Sequence, residues 1–462
     1  MDSGTSKCIQ TRFSRMICVI DFDGTFFKND FFKEAFFRKL IRNPFFIFQH
    51  FFLRRGSLLQ LKQLLLSELV VDYNPSLLIN PAVLQWMETN KKKYDKIVVV
   101  SASPLFFVQK IVAPLQLFHA IDGSVERNLK GKEKLDFIIQ KWGDDFDYMG
   151  DSKADEPIFA KAKHAIRVQD LNTQKNSITD YCKLIRPRNW IKNGIIFMPF
   201  LLSGNYQLHI LGYLLVGFIC FSLIASGCYI LNDLLDIEND RRHPLKQKRP
   251  LAAADVAVSP AVFFALLLMG IGLALSAIVA VHSTIILLGY LGLNYFYSVR
   301  GKRIRFFDML LLCSFYLIRI FYGASISATP LTGWFVATLT LSILALCLNK
   351  RYLECRLSTN SSIAGRKYNK EDAMMLQHLM YNFAMAAIVL LNVHAYFVLA
   401  IQSPYFFFLM NIAAAAILFF YFDSNENISD DPVEKIISNK PLLVTLVLFI
   451  MLYIYEINAK FI

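Results

Sequence analysis

The sequence predicts two folds in series: a doubly wound α/β domain with a helical cap, then an all-α polytopic membrane domain of about nine transmembrane helices. Three observations predict this. The 462 residues are 55% hydrophobic and 14% aromatic, yet charge crowds the first 170 positions while apolar runs dominate from about residue 194. Short β-branched and apolar runs alternate with helical stretches in the first part, as in a parallel sheet covered on both faces. Several later runs, among them 208–231, 258–281 and 380–401, can cross a hydrocarbon core of roughly 30 Å. Backbone inside lipid must satisfy its own hydrogen bonds, so those spans are helical.

The first strand, 16–20, delivers Asp21-Phe22-Asp23-Gly24-Thr25. Residues 26–71 are helical in pattern and rich in Phe pairs (31–32, 36–37, 45–46, 51–52), with Lys and Arg from Lys33 to Arg55 on their edges. They belong to a cap at about 26–90. Two readings stay open for it: an ordinary packed cap, or one that leans on the membrane as an interfacial element. A second strand, 97–100, ends at Ser101-Ala102-Ser103; a third, 147–149, at Gly150-Asp151-Ser152; a weak fourth covers 165–168. Ligands of such sheets bind at the carboxyl ends of the strands, where all three polar motifs fall. The polar stretch 169–180 sets domain limits of 1–170, a linker at 171–180, and 181–462. The spans lie near 190–204, 208–231, 258–281, 284–298, 307–324, 332–348, 378–401, 405–422 and 440–458. The loops after the second, fourth and sixth are rich in Lys and Arg, which places them in the cytoplasm.

A net charge of +13 without a basic stripe on a reader fold argues against nucleic acid. Anionic lipid, anionic substrate and positive-inside loops account for it better. The eight Cys include no C-x-x-C pair, so neither a disulfide framework nor a zinc site is indicated. Residues 1–15 are polar and basic, and 16–20 is too short for a signal h-region. The expectation is an integral protein of the inner (cytoplasmic) membrane with its N-terminal domain in the cytoplasm.

Asp21 and Asp23, two apart at a strand end, suit phosphoester hydrolysis. Asp21 would attack phosphorus, and Asp23 would protonate the leaving oxygen and then activate water, splitting one hard step into two. Ser101 can donate to a phosphoryl oxygen, and Lys134, preferred over Lys132, would neutralise the crowded charge. Asp151 would bind Mg²⁺ with Asp21 and the Asp23 carbonyl, supported by Asp155, because oxygen-only ligands suit that ion. In this order, each after a strand-like run, the four pieces resemble the haloacid dehalogenase superfamily over residues 15–168. That resemblance implies a Mg²⁺-dependent phosphatase with an inserted helical cap.

The second constellation is Asn232-Asp233-Leu234-Leu235-Asp236-Ile237-Glu238-Asn239-Asp240. Asp233, Asp236 and Asp240 are three and four apart, so a helix puts them on one face. A divalent cation is the usual reason to tolerate such crowding. Basic residues follow, Arg241 to Arg249, and suit a diphosphate bridged by Mg²⁺. The pattern N-D-x-x-D-x-x-x-D, then H-P-x-K and R-P, resembles the UbiA superfamily over residues 181–458. Members that prenylate aromatic acceptors carry a second aspartate-rich loop. Here the corresponding loop is Asn349-Lys350-Arg351-Tyr352-Leu353-Glu354, which suits a phosphate monoester held by charge-assisted bonds.

With Arg186 to Asn193 and Tyr316 to Arg319, this departure resembles the decaprenyl-phosphate phosphoribosyltransferase branch. The resemblance implies that a polyprenyl phosphate attacks C1 of phosphoribosyl diphosphate in the membrane. Asp233, Asp236 and Asp240 would hold Mg²⁺ and the leaving pyrophosphate. Lys192, Lys246, Arg249, Lys302, Arg319, Lys350 and Arg351 would serve the sugar and lipid phosphates, undivided between them. Tyr297 and Asp308 are weaker candidates, and His243 reads as structural. Arg319 lies inside an apolar run, so a partner or substrate within the membrane is expected. The fused phosphatase would remove the 5-phosphate of the lipid-linked product, held near by the tether. The competing readings are a prenyltransferase to an aromatic or other small acceptor with an independent phosphatase, a lipid-binding scaffold, and a transporter.

Overall fold

The computed structural model describes residues 16–53, 56–69, 71, 74–171, 178–203, 206–357, 368–423, 435–436 and 438–458. Two compact units emerge: Met1–Leu184 with Ile230–Phe263, and Ile185–Tyr229 with Phe264–Ile462. Residues 230–263, which the sequence assigns to the membrane domain, thus belong to the first unit.

In the first unit a parallel five-stranded sheet has the order β3-β2-β1-β4-β5. The strands are β1 (Ile17–Ile20), β2 (Lys96–Pro104), β3 (Ala120–Ser124), β4 (Phe146–Gly150) and β5 (Ala165–Arg167). Every residue of β1 is buried, which is why it reads as an unbroken apolar run. Its Val19 pairs with Val98 on one side and Tyr148 on the other, so the ends of β1, β2 and β4 emerge together. Strand β3 was not expected, because Asp122-Gly123-Ser124 carries a turn signature rather than a strand one.

The cap between β1 and β2 contains α1 (Phe31–Arg42), α2 (Leu58–Ser67) and α3 (Pro81–Asn90). Asp30 caps α1 by accepting from the Lys33 amide at 2.9 Å. Ser57 and Gln60 form a reciprocal capping box on α2. Phe22, Phe26, Phe27, Phe31 and Phe107 pack mostly edge to face, at centroid spacings of 5.0–6.4 Å, as the core under the cap. Helices α4 (Leu105–Val112), α5 (Lys132–Trp142) and α6 (Glu156–Lys161) follow their strands.

Segment 230–263 holds the end of α7 (Leu208–Leu235), all of α8 (Ile237–Arg242) and the start of α9 (Val258–Val279). One face of α1 grips it at four-residue intervals. Glu34 takes both terminal nitrogens of Arg241 at 2.8 and 2.9 Å, with both side chains sealed from solvent. Arg38 pairs with Glu238 at 2.6 Å, and Arg42 donates to the Leu235 carbonyl at 3.4 Å. The Arg241 Nε donates to the Ala252 carbonyl at 3.0 Å, fastening α8 to the loop before α9.

The second unit adds α10 (Val281–Val299), α11 (Phe307–Ser327), α12 (Gly333–Leu357), α13 (Asp372–Val393), α14 (Pro404–Asp423) and α15 (Lys440–Asn458). Among the described residues six helices, α7, α9 and α11 to α14, are long and apolar enough to cross a membrane. About nine spans were expected, and among the described residues these six meet the length and composition of a span. The described part of the span expected at 190–204 is no continuous helix but a 3₁₀ stretch, Pro187–Phe197, and a four-residue helix, Met198–Leu201. Pro187, Gly194 and Pro199 interrupt the regular ladder there. Helix α10 is diluted by His282, Ser283, Thr284 and Asn294. The 3₁₀ stretch lies against α11 at Gly323, where a Cβ would stand 1.9 Å from the Ile196 carbonyl oxygen.

Removing one member of the Glu34–Arg241 pair strands a charge in an apolar interior. Glu34→Met or Arg241→Met alone should therefore cost about 3–5 kcal/mol, and the double Met variant much less. Unfolding midpoints of the full chain in detergent order the three, and a double variant as damaged as both singles combined would refute this account.

Candidate functional site

The strand ends of the first unit open into a cleft of about 530 Å³. Asp21, just past β1, accepts from Lys134 Nζ at 2.6 Å, and the same ammonium reaches the Tyr148 hydroxyl at 2.8 Å. Lys134 sits buried in the first turn of α5, whereas Lys132 is exposed. Asp23 accepts from the Ser103 hydroxyl at 2.6 Å and the Phe31 amide at 3.0 Å. Thr25 donates to Asp151 at 3.4 Å. Gly24 has φ +77°, and a Cβ there would stand 2.3 Å from an Asp151 oxygen, so the turn between the two carboxylate loops needs glycine twice over.

The sequence names Ser101 as the donor to a phosphoryl oxygen, and it is Ser103 that donates to Asp23. The Ser101 hydroxyl accepts from the Ser103 amide at 2.9 Å, and Ser103 is the residue at the cleft. The two-residue period of a strand puts both serines on one face, so this signal was available in the sequence. Lys62 and Tyr148 were also missed. From α2, Lys62 reaches the Ala102 carbonyl and Asn128, each at 2.9 Å. A lone Lys between Leu61 and Leu65 on a buried helix face was its only trace.

Burial and charge crowding set the protonation of the cleft. Burial pushes Asp23 up to about 8, with Asp30 adding to the rise and the Ser103 hydroxyl opposing it. Burial, then Asp21 and Asp155, push Asp151 up to about 6. Asp21 is raised by burial against the pull of Lys134. Asp21, Asp151 and Asp155 bring one carboxylate oxygen each within 4.8 Å of one another. Asp155 Oδ2 is buried without a hydrogen-bond partner among the described residues. Three hard oxygen donors, one of them orphaned, fit a divalent cation such as Mg²⁺.

The second carboxylate group also lies in the first unit. Asp233 ends α7, Asp236 stands between helices, and Asp240 is in α8. The single helix expected here breaks at Asp236, although the bonds Asp236 N to Asn232 O (3.0 Å) and Asp240 N to Asp236 O (2.9 Å) keep the helical spacing. Arg249 binds Asp233 at 3.2 Å and Asp240 at 2.7 Å through one nitrogen. Burial raises Asp240 to about 6 against the pull of that guanidinium. Lys246 is exposed on the following turn, where His243 Nδ1 accepts the Leu245 amide at 3.2 Å.

In the second unit Arg319 is buried on α11. It donates to Asn193 at 2.8 Å and to the Phe315 carbonyl at 2.6 Å, and it lies over the Phe221 ring at 4.8 Å. Arg351, fully buried on α12, donates to Asp308 at 2.7 Å and Glu354 at 2.6 Å, while Tyr368 donates to the same Asp308 at 2.6 Å. Its Nη2 has no partner among the described residues. Lys192, Lys302 and Lys350 are half-buried in this unit, and Tyr297 packs on Phe315 at 5.5 Å.

The UbiA prenyltransferase family description matches residues 194–436, more than half of the chain, and the chain belongs to that family. An uncharacterized protein of Sinorhizobium fredii is 26% identical over 403 residues, 81% of this chain and 77% of that protein. The decaprenyl-phosphate phosphoribosyltransferase of Mycobacterium tuberculosis is 30% identical over 229 residues, 48% of this chain and 76% of its own. A solved UbiA homologue of Archaeoglobus fulgidus, bound to DMAPP and Mg²⁺, superposes with a TM-score of 0.47 at 16% identity, over 60% of this chain and 99% of that one.

A carboxyl raised in the folded chain keeps its proton longer there than when unfolded. Its contribution to stability is complete below the ordinary value of about 4. That contribution is lost as pH climbs through the folded values, about 6 for Asp151 and about 8 for Asp23. In EDTA the melting temperature should fall between about pH 5 and pH 8, and Mg²⁺ should restore most at the upper end, where the carboxylates are bare. A Mg²⁺ effect that is flat with pH, or larger in acid, would contradict this.

Proposed function

We propose that this chain transfers a 5-phosphoribosyl group from phosphoribosyl diphosphate to a polyprenyl phosphate, releasing pyrophosphate. We further propose that its N-terminal part, residues 1–170 with a linker at 171–180, is a phosphatase of the haloacid dehalogenase type that removes the 5-phosphate from the lipid-linked product. The transfer rests chiefly on the Asp233–Arg249 acid–base cluster in a UbiA family member with phosphoribosyltransferase relatives. In this reading Asp233, Asp236 and Asp240 hold Mg²⁺ and the leaving diphosphate. Lys192, Lys246, Arg249, Lys302, Arg319, Lys350 and Arg351 hold the remaining phosphates. The spare Nη2 of Arg351 is suited to that role.

The phosphatase reading rests on the Lys134–Asp21 contact beside a protonated Asp23. An Asp21 oxygen bonds to phosphorus as the ester oxygen leaves with the Asp23 proton. Water then attacks the phosphoryl group, returns a proton to Asp23 and frees phosphate with Asp21 regenerated. The cation would offset charge on the phosphoryl oxygens. The cleft wall includes Leu251, Val256, Val258 and Pro260, the last two from the first turn of α9, which suits a phosphate carried on a lipid. The alignment with the Sinorhizobium protein is too long for the membrane part alone, so that relative shares sequence on both sides of the linker. We place the N-terminal part on the cytoplasmic side, with the basic loops.

Purified protein with Mg²⁺, polyprenyl phosphate and labelled phosphoribosyl diphosphate should move label into lipid. Asp233→Asn should abolish this and leave hydrolysis of a model phosphoester intact. Asp21→Asn should do the converse, cutting hydrolysis about a thousandfold or more, so that lipid-linked ribose 5-phosphate accumulates one phosphate heavier than the parent's product. Efficient prenylation of 4-hydroxybenzoate from a prenyl diphosphate, with no lipid labelling, would restore the aromatic prenyltransferase reading. The same phosphorylated lipid from parent and Asp21→Asn would remove the phosphatase from the pathway.

A further inference from the structure

The aromatic half of the cap is divided. Phe31 and Phe46 are buried, but Phe45, Phe48, Phe51 and Phe52 are 71%, 53%, 38% and 71% exposed. These four lie on one short stretch, a helical turn at Phe46–Phe48 running into a π-helical turn at Gln49–Leu53, and Phe48 stacks on Phe52 at 5.3 Å. Clustered, exposed large aromatics on a soluble fold mark a surface that something covers.

What covers it follows from the grip of α1 on the segment between two apolar spans. Moving forward along α1, Glu34, Arg38 and Arg42 contact Arg241, Glu238 and Leu235 in turn. The partners step backward along the chain, so α1 runs antiparallel to α8, toward the span that ends at Leu235. Eight residues of helix advance ~12 Å, and they finish with Arg42 on the last carbonyl of that span. The exposed Phe stretch begins three residues later. It therefore emerges at the level where the α7 span ends, with the basic last turn of α1, Lys39 and Arg42, beside it. Exposed Phe rings flanked by basic groups match the composition of segments that lie in a membrane interface.

We infer that Phe45–Phe52 is an interfacial anchor, inserted among the lipid headgroups of the bilayer that holds this chain's own spans. This surface is independent of the phosphatase reading. The anchor fixes the cap against the membrane, so the cleft behind it works at the lipid surface rather than in bulk solvent.

The test uses the full chain in lipid vesicles, with Cys8 and Cys182 replaced by Ser and a nitroxide on Phe48→Cys or Phe52→Cys. Phe45→Cys reports the same surface should one labelled chain fail to fold. Collisions with oxygen, which concentrates in lipid, should exceed those with a water-soluble nickel chelate at these sites. The order should reverse for a label at Lys132→Cys on exposed α5. Dominant collisions with the chelate at 48 and 52 would overturn the anchor. So would dipolar broadening that dilution with unlabelled protein relieves, because a second copy would then be the cover.

Discussion

The arrangement of the first unit hangs on the ion pair between Glu34 and Arg241. Two charges sealed from water are tolerable only while paired with good geometry, and either alone is costly. Their bidentate contact therefore fixes α1 and α8 against each other more strictly than apolar packing would, since apolar side chains can slide. Arg241 also holds the Ala252 carbonyl, so the contact sets the path of the chain toward α9. Asp240 is the neighbouring residue. The acid–base cluster it forms with Asp233 and Arg249 is thus supported from a helix near the N-terminus, 207 residues away.

A second constraint acts in the cleft. Strand order 3-2-1-4-5 places β1 between β2 and β4, and the loops after all three converge. Asp21, Asp23, Asp151 and Asp155 consequently share one small volume with two buried ammonium groups, Lys134 in contact with Asp21 and Lys62 further along the cleft. Burial without enough positive charge raises the carboxyls, as Asp23 and Asp151 show. The same imbalance costs stability, would be relieved by a divalent cation, and raises Asp23 toward neutrality.

Local signals carried much of this in the sequence. The apolar runs at 97–100 and 147–149 mark strands because a central parallel strand is buried on both faces. Asp21, Lys134 and Asp151 could be named because each sits at a strand end or in a first helical turn. What was not legible depended on remote contacts or on backbone irregularity. Nothing in the spacing of Glu34, Arg38 and Arg42 announces partners two hundred residues on. Strand β3 is hidden because an edge strand can carry Asp-Gly-Ser. The span count failed at 190–204 because composition cannot see that Pro187, Gly194 and Pro199 turn an apolar run into 3₁₀ structure.

The two buried arginines of the second unit show how far a charge inside an apolar region can be read. Both demand partners, but they find different kinds. Among the described residues Arg319 meets neutral groups: the Asn193 side chain, the Phe315 carbonyl and the faces of aromatic rings. Arg351 meets Asp308 and Glu354, which more than offset its charge. A buried guanidinium that faces only neutral acceptors stays costly, and its hydrogen bonds offset only part of the desolvation penalty. A compensated one with an open nitrogen contributes a directed hydrogen bond but little field. Arg319 thus stands among neutral groups, whereas Arg351 is compensated by two carboxylates and keeps one guanidinium nitrogen without a partner among the described residues.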